Sequence, residues 1–379
     1  MRAQLAVASR RCSPPRVVII GAGIAGLATY LTLKRQGIEA VIYERKEESS
    51  REGLGVLLQD NGLAVMDRLG LGERIREAGT FIRRFVLRRA DERVVMDQQM
   101  TSDVLAVMRL DLIRILREQV PREALRTGMC FTGFERDDNQ RARRACFANN
   151  VRVEGDLFIA SDGVRSQVRA GLFPEHCLSR VRVKELCSIT RAPHIARQLG
   201  SMLLKTQEER FGLAAGMIAC GPEHVVWYIQ FDAERWPLES RDSVQARDLA
   251  RMLVGHWPQP LPELCKITDF SDSHVWFTTD LDALPRFHSG NVVLVGDAAH
   301  PLLPFTSQGA GAALQDAETL AHHLSGRLDC PESLESSLTR FSHERRPCVE
   351  RFVASGRQLA EQFLHPERFK GQTLVPLSK

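Results

Sequence analysis

No two cysteines in this chain stand at C-x-x-C spacing, and the nine present, at positions 12, 130, 146, 177, 187, 220, 265, 330 and 348, are odd in number and scattered. That pattern argues against a disulfide framework and against a zinc site, no metal is expected, and a reducing compartment fits. Charge of one sign is lacking too. The 51 Lys and Arg against 47 Asp and Glu leave a net +4 spread along the whole chain, with no basic stripe to serve as a footprint for nucleic acid. The uncharged run between Arg16 and Lys34 falls short of the roughly 20 residues of a membrane-spanning helix, and glycines interrupt it. No integral membrane segment is expected. Internal repeats and low-complexity stretches are absent as well.

The ends carry little information. Residues 1–15 precede the first apolar strand, and Arg2, Arg10 and Arg11 with no acid among them resemble a transit peptide only faintly, with Ala6-Val7-Ala8 as its cleavage site. They read as a disordered leader. The terminal Leu377-Ser378-Lys379 fails as a peroxisomal signal. The expected location is cytoplasmic.

At 379 residues the chain is long enough for two interleaved domains with substantial cores. Val17 to Ile20, Ile24 to Gln36 and Ala40 to Tyr43 read as strand, helix and strand, one βαβ unit. Arg51 to Gly79 reads as loop and helix, and Phe81 to Met96 as strands. Leu110 to Val120 has strong helical periodicity. Between about Arg180 and Phe277 the texture is mostly strands, with one helix from Ser243 to Val254. Asn291 to Val295 returns to a buried-strand pattern before a helix from Gly309 to Leu324.

Three motifs carry the chemistry. In Gly21-x-Gly23-x-x-Gly26, with Ile24 and Ala25 between, the first glycine permits a tight turn, the second lets backbone amides reach a pyrophosphate, and the third lets helix and strand approach. Glu44 ends the next strand, where it can accept from ribose hydroxyls. The context implies a dinucleotide without choosing FAD over NAD. Asp162-Gly163, leading through Ser166 to Arg169, follows a buried strand and opens a helix; an Asp or Ser helix cap explains it equally well. Gly296-Asp297-Ala298-Ala299-His300-Pro301 also follows a buried strand, and Gln308-Gly309-Ala310-Gly311 then opens a helix. A carboxylate there can hold ribityl hydroxyls, and a helix N-terminus can stabilise negative charge on a reduced flavin.

The order of these motifs resembles the class A FAD-dependent aromatic monooxygenases, the family of para-hydroxybenzoate, salicylate and urate hydroxylases and tetracycline monooxygenases. The resemblance runs from Val17 to about Arg357. It implies an α/β fold with an FAD-binding, Rossmann-like (GR2-type) domain at 16–80, 100–178 and 286–330. A substrate domain on a mainly antiparallel sheet is expected at 81–99 and 179–285, and a C-terminal helical segment at 331–379. It implies that Gly21, Gly23, Ile24, Ala25, Gly26 and Glu44 hold the ADP part of FAD, with Arg45 on the adenosine side. Arg109 touches FAD, Asp162, Gly163 and Arg169 serve FAD and NAD(P)H, and Gly296 and Asp297 bind the ribityl chain. Pro301 lies beside the ring system, with Gly309, Ala310 and Gly311 next to it. The chain departs from the family's P-x-x-G-Q-G-x-N, having Ser307 at the first glycine and Gly311 at the asparagine.

The implied reaction uses NAD(P)H and O2 to hydroxylate or epoxidise an aromatic or polyketide-like small molecule through a C4a-hydroperoxyflavin, by a monomer or homodimer. The flavin carries the chemistry, so no catalytic side chain is assigned. His194, His224 and Tyr228 are candidates for a substrate-activating base, each more simply explained by packing. Met217, Trp227 and Phe231 suit either an apolar cavity or sheet core. His300 reads as structural, and Arg83, Arg84, Arg88 and Arg89 as a solvated basic face. The rival readings are an FAD-dependent reductase or dehydrogenase and a non-catalytic flavin-binding protein.

Overall fold

A computed structural model describes residues 16–47, 55–238, 242–328 and 331–369. The leader at 1–15 and the last residues, 370–379, lie outside the described residues. The fold is mixed α/β. Its first sheet is six-stranded in the order His288–Ser289, Val292–Leu294, Leu157–Ala160, Val17–Ile20, Ala40–Tyr43, Leu125–Arg126. All of its pairings are parallel except the edge strand His288–Ser289. Val17–Ile20 and Leu157–Ala160 are buried at every position, the pattern of parallel strands covered on both faces.

Two helices cross this sheet together. Ile24–Arg35 packs against Gly309–Leu324, and Thr32 Oγ1 donates to the Ala317 carbonyl at 2.9 Å. All three glycine turns lie at the carboxyl ends of the parallel strands, after Ile20, Ala160 and Leu294. Open α/β sheets bind ligands in this place.

A seven-stranded sheet lies beside it, in the order His274–Phe277, Val183–Arg191, His224–Asp232, Leu213–Cys220, Met202–Gln207, Arg84–Arg89, Val94–Gln99. Its pairings are antiparallel except between Met202–Gln207 and Arg84–Arg89. One face is sealed by Trp227, Ile229, Phe231, Met217 and Leu186 against the helices Pro193–Leu199, Ser243–Val254 and Leu261–Ile267. The sequence pattern predicts only the middle one of these helices. Pro193–Leu199 and Leu261–Ile267 span seven residues each, too few for periodicity to distinguish them from a strand or loop.

The expectation of loop and helix from Arg51 to Gly79 needs a further correction. Gly55–Gln59 is a strand, paired with Val104–Met108, which pairs in turn with Gly79–Phe81. This three-stranded sheet packs on the seven-stranded one through Ile82, Phe85, Val104, Ala106, Leu203 and Ile218. The C-terminal helix Pro331–Leu364 closes the molecule.

Candidate functional site

The first glycine turn separates what the protein needs from what a ligand needs. Gly21 has φ +104°, and a Cβ there would lie 2.5 Å from the Ser161 carbonyl oxygen. A Cβ on Gly26 would lie 1.9 Å from the Gly21 carbonyl oxygen. Both positions are closed to a side chain by the fold itself. At Gly23 an added Cβ meets nothing within 4 Å, so its bareness answers to something other than packing. Ile24 and Ala25 begin the helix, whose first turn carries no acid to occupy its free N–H groups. Glu44 accepts from the Ala22 N–H at 2.7 Å and the Lys46 N–H at 2.9 Å, which places its carboxylate beside the turn. Arg45 is exposed.

The second turn is organised by its own side chains. Asp162 accepts from Ser166 Oγ at 2.6 Å and from the N–H groups of Gln167 and Val168 at 2.9 and 3.3 Å. Burial raises the Asp162 pKa against these bonds. Arg169 is buried behind the turn, where it donates to the carbonyls of Val164, Asp297 and Ala298 at 2.5, 3.1 and 2.9 Å. Its guanidinium thus joins the second and third motifs. Gly163, at φ +85°, again has open space where a Cβ would go.

The third turn hangs on a carboxylate that sequence reasoning missed. Asp316, fully buried in the helix Gly309–Leu324, accepts from the Gly296 N–H at 2.8 Å and pairs with His300 Nε2 at 2.5 Å. Its other oxygen accepts from Arg345 Nε at 2.7 Å. Burial works to raise the Asp316 pKa, but His300 and Arg345 outweigh it and hold the group at about 2. An acid at position 316, at helical spacing from the apolar Ala312, Ala313 and Leu320, was the available signal. His300 therefore holds the turn in shape, as its place in the motif suggests. Asp297 faces the cavity; burial raises its pKa, and the charges of His300, Arg109 and Arg169 act the other way.

The two departures from the family pattern have structural answers. Ser307 adopts φ +52°, the left-handed conformation a glycine would take without strain. At Gly311 an added Cβ would sit 2.8 Å from Asn61 Oδ1, so the amide of Asn61, from the helix Asp60–Arg68, fills the space beside it. Asn61 Nδ2 donates to Gln308 Oε1 at 2.9 Å, and Gln308 Nε2 donates to Gln59 Oε1 at 2.9 Å. No local signal marks Asn61 or Gln59, since they meet Gln308 only through the tertiary fold.

These turns open onto one cavity of about 430 Å³. Gly23, Ile24, Ala25, Arg109, Gly163, Asp297, Pro301, Gly309 and Ala310 line it, while Gly21, Gly26, Glu44, Arg45, Asp162, Arg169, Gly296 and Gly311 do not. Backbone is laid bare at Gly23, Gly163 and Gly309, where a Cβ would meet no atom within 4 Å. A cradle of this kind, at helix N-termini, suits a large ligand with a pyrophosphate.

The opposite wall is the face of the seven-stranded sheet that the three-stranded sheet partly covers, with Val56, Leu57 and Ala106 at its edge. Alternation decides its composition: Tyr228 and Gln230 face the cavity, while Trp227, Ile229 and Phe231 face the core. Met217, Trp227 and Phe231 are therefore core residues. His224 lies outside the wall, and His194 pairs with Glu263 at 2.7 Å on a surface helix. Arg83 and Arg84 are exposed and paired with Asp103 and Asp97, whereas Arg88 and Arg89 reach the carbonyls of Gln259 and Glu208. Phe85, Leu203, Ile218 and Val226 make most of the wall apolar, and Glu185, Cys187, Lys205, Tyr228 and Gln230 form one polar corner.

Residues 15–355 match the family described as FAD binding domain. The chain belongs to that family. Among curated relatives of this FAD binding domain protein, 3-amino-4-hydroxybenzoate 2-monooxygenase of Streptomyces cremeus is 28% identical over 93% of the chain and 88% of the relative. The 6-hydroxynicotinate 3-monooxygenase of Pseudomonas fluorescens is 24% identical over 82% of each. In structure, Klebsiella pneumoniae HpxO complexed with FAD and uric acid superposes with a TM-score of 0.82 at 22% identity, covering 92% of this chain and 89% of that one. This FAD binding domain protein is a flavoprotein monooxygenase with FAD as cofactor and NAD(P)H and O2 as co-substrates. Among the described residues no helix is long and apolar enough to cross a membrane.

Proposed function

We propose that the glycine-turn wall of the cavity holds FAD and that the sheet wall holds a small aromatic or polyketide-like molecule, which the enzyme hydroxylates or epoxidises. The observation that carries this reading is that one continuous cavity joins the two walls. Bound FAD supplies electron transfer from the nicotinamide and the activation of oxygen. The chain's own residues bind and orient. In this reading the turn at Gly21, Gly23, Ile24, Ala25 and Gly26 takes the pyrophosphate, Glu44 and Arg45 the adenosine end, and Asp297 the ribityl hydroxyls. Pro301, Gly309, Ala310 and Arg109 border the ring system, and the N-terminus of Gly309–Leu324 lends partial positive charge to it. Gly163 leaves room for the cofactor, while Asp162, Arg169, Gly296 and Gly311 act through the backbone they support.

The substrate reading draws on the relatives, whose names specify hydroxylated aromatic and heteroaromatic acids. It is supported by an apolar slot with one polar corner. The segments 16–80, 100–178 and 286–330 serve as the FAD-binding domain, and 81–99 with 179–285 as the substrate domain. The protein works in the cytoplasm as a monomer or homodimer.

The test is an anaerobic titration of the FAD-loaded protein with NADH and NADPH, with and without a panel of hydroxylated aromatic acids, phenols and polyketides. Flavin absorbance should bleach faster with one class, and that compound should gain one oxygen atom when air is admitted. A protein that binds no FAD, or whose flavin never bleaches, sinks the reading.

A further inference from the structure

Lys205 is a buried cation in a largely apolar cavity wall. Its Nζ donates to Gln230 Oε1 at 3.1 Å, and its remaining N–H donors have no carboxylate in direct reach among the described residues. Gln230 Nε2 donates in turn to Glu185 Oε2 at 2.7 Å, and Glu185 Oε1 accepts from Cys187 Sγ at 3.1 Å. Both carboxylate oxygens of Glu185 are thus satisfied by neighbours, whereas the ammonium at the cavity wall has a neutral amide as its hydrogen-bond acceptor and the Phe363 ring 5.9 Å away, with no paired counter-charge among the described residues. A buried charge left in that state is costly until a counter-charge arrives. The Gln230 amide is held in one orientation by its two partners, so its oxygen stays turned to Lys205.

We propose that Lys205 recognises the substrate by pairing with an anionic oxygen, carboxylate or phenolate, carried on an aromatic ring, and that Gln230 and Glu185 are its positioning residues. The inference rests on the sheet wall being the substrate side. Phe85, Leu203, Ile218 and Val226 receive the ring. Tyr228 lies across Gly216, where a Cβ would come within 2.2 Å of its ring, and burial keeps its hydroxyl protonated as a further donor.

The experiment is calorimetric titration of the FAD-loaded protein at pH 7 with 4-methoxybenzoate, methyl 4-hydroxybenzoate, 4-hydroxybenzoate and the uncharged methyl 4-methoxybenzoate. The carboxylate-only and phenol-only probes separate the two sources of negative oxygen. At least one charged or ionisable probe should bind about tenfold or more tighter than the uncharged one. Lys205→Met should abolish that preference while leaving FAD content and uncharged-probe binding unchanged, and Lys205→Arg should restore part of it. Equal binding of all probes by the wild type, no binding of any, or a preference that survives Lys205→Met would overturn the proposal.

The pH profile tests positioning, and serves also if Lys205→Met does not fold. The other ionisable groups facing this cavity are Glu185, Cys187, Cys220, Tyr228, Arg109 and Asp297. Burial pushes the two thiols and the phenol upward, out of a window from pH 6 to 9, and raises Glu185 and Asp297 above the ordinary carboxylate range, while it lowers Lys205 to about 8. Lys205 is charged below that value, so preference for 4-methoxybenzoate should be lost as pH rises through about 8. Glu185→Gln removes the charge that opposes burial and should move this loss to lower pH; an unshifted profile would overturn the positioning role. A flavin that never bleaches would sink the functional reading yet leave these affinities interpretable.

Discussion

Arg169 Nη1 donates to the Ala298 carbonyl at 2.9 Å, and this bond ties the Asp162-Gly163 turn to the Gly296-Asp297 turn across two parallel strands. Two motifs 134 residues apart in sequence, by the difference between positions 162 and 296, are thereby one structural unit. Arg169→Leu should leave the carbonyls of Val164, Asp297 and Ala298 without their donor. The expected loss is about 2–5 kcal/mol of stability by denaturant unfolding, with reduced FAD content. Unchanged unfolding together with weakened nicotinamide binding would instead place the guanidinium in contact with the co-substrate.

The two glycines of the first turn should fail differently. Gly26→Ala forces a methyl group against the Gly21 carbonyl and should destabilise the apoprotein by roughly 1–3 kcal/mol or more. Gly23→Ala meets open space, so the apoprotein should unfold within about 0.5 kcal/mol of the wild type. Its FAD affinity should nonetheless fall. Thermal unfolding of both apoproteins and equilibrium dialysis with FAD separate the effects, and full FAD affinity in Gly23→Ala would remove the pyrophosphate role.

Asp316 makes the third turn sensitive to acid. Its folded-state pKa of about 2 lies below the ordinary value of 3.8, so the unfolded chain binds the proton more readily. The stability it contributes is fully present above about pH 4 and is lost as pH falls toward 2. Asp316→Asn should remove most of this acid-dependent component and, with Arg345 left buried beside a neutral amide, cost about 3–5 kcal/mol at pH 7. Parallel urea titrations at pH 7 and pH 3 check both.

Ser307 offers a conformational test. A β-branched residue tolerates its φ of +52° poorly, so Ser307→Val should destabilise by more than about 1 kcal/mol. Ser307→Gly should stay within about 1 kcal/mol of the wild type, since relief of the left-handed conformation offsets the added chain entropy. Equal melting temperatures for the two variants would show that the turn does not hold this conformation in solution.

The six-stranded sheet and its glycine turns were legible because their requirements are local. A glycine with φ +104° at Gly21, a close approach at Gly26 and buried strands such as Leu157–Ala160 all leave marks within a few residues. The seven-stranded sheet was legible only as strands. Whether Tyr228 or Trp227 faces the cavity depends on a shift of one residue, and no alternation within Val225 to Phe231 announces it, because both faces are buried.

By itself, then, the sequence determined the order of the main strands and helices, the three turns at strand ends and the dinucleotide chemistry they suit, because short-range sterics and backbone hydrogen bonding act between near neighbours. Tertiary structure alone decided that Asp316 and Arg345 would hold the third turn, that Asn61 would fill the space at Gly311, and that Lys205, Gln230 and Glu185 would meet at one corner. Those residues come from separate strands and helices. Their chemistry arises only when hydrophobic burial, which is indifferent to sequence distance, packs the elements together and strips the charges of water.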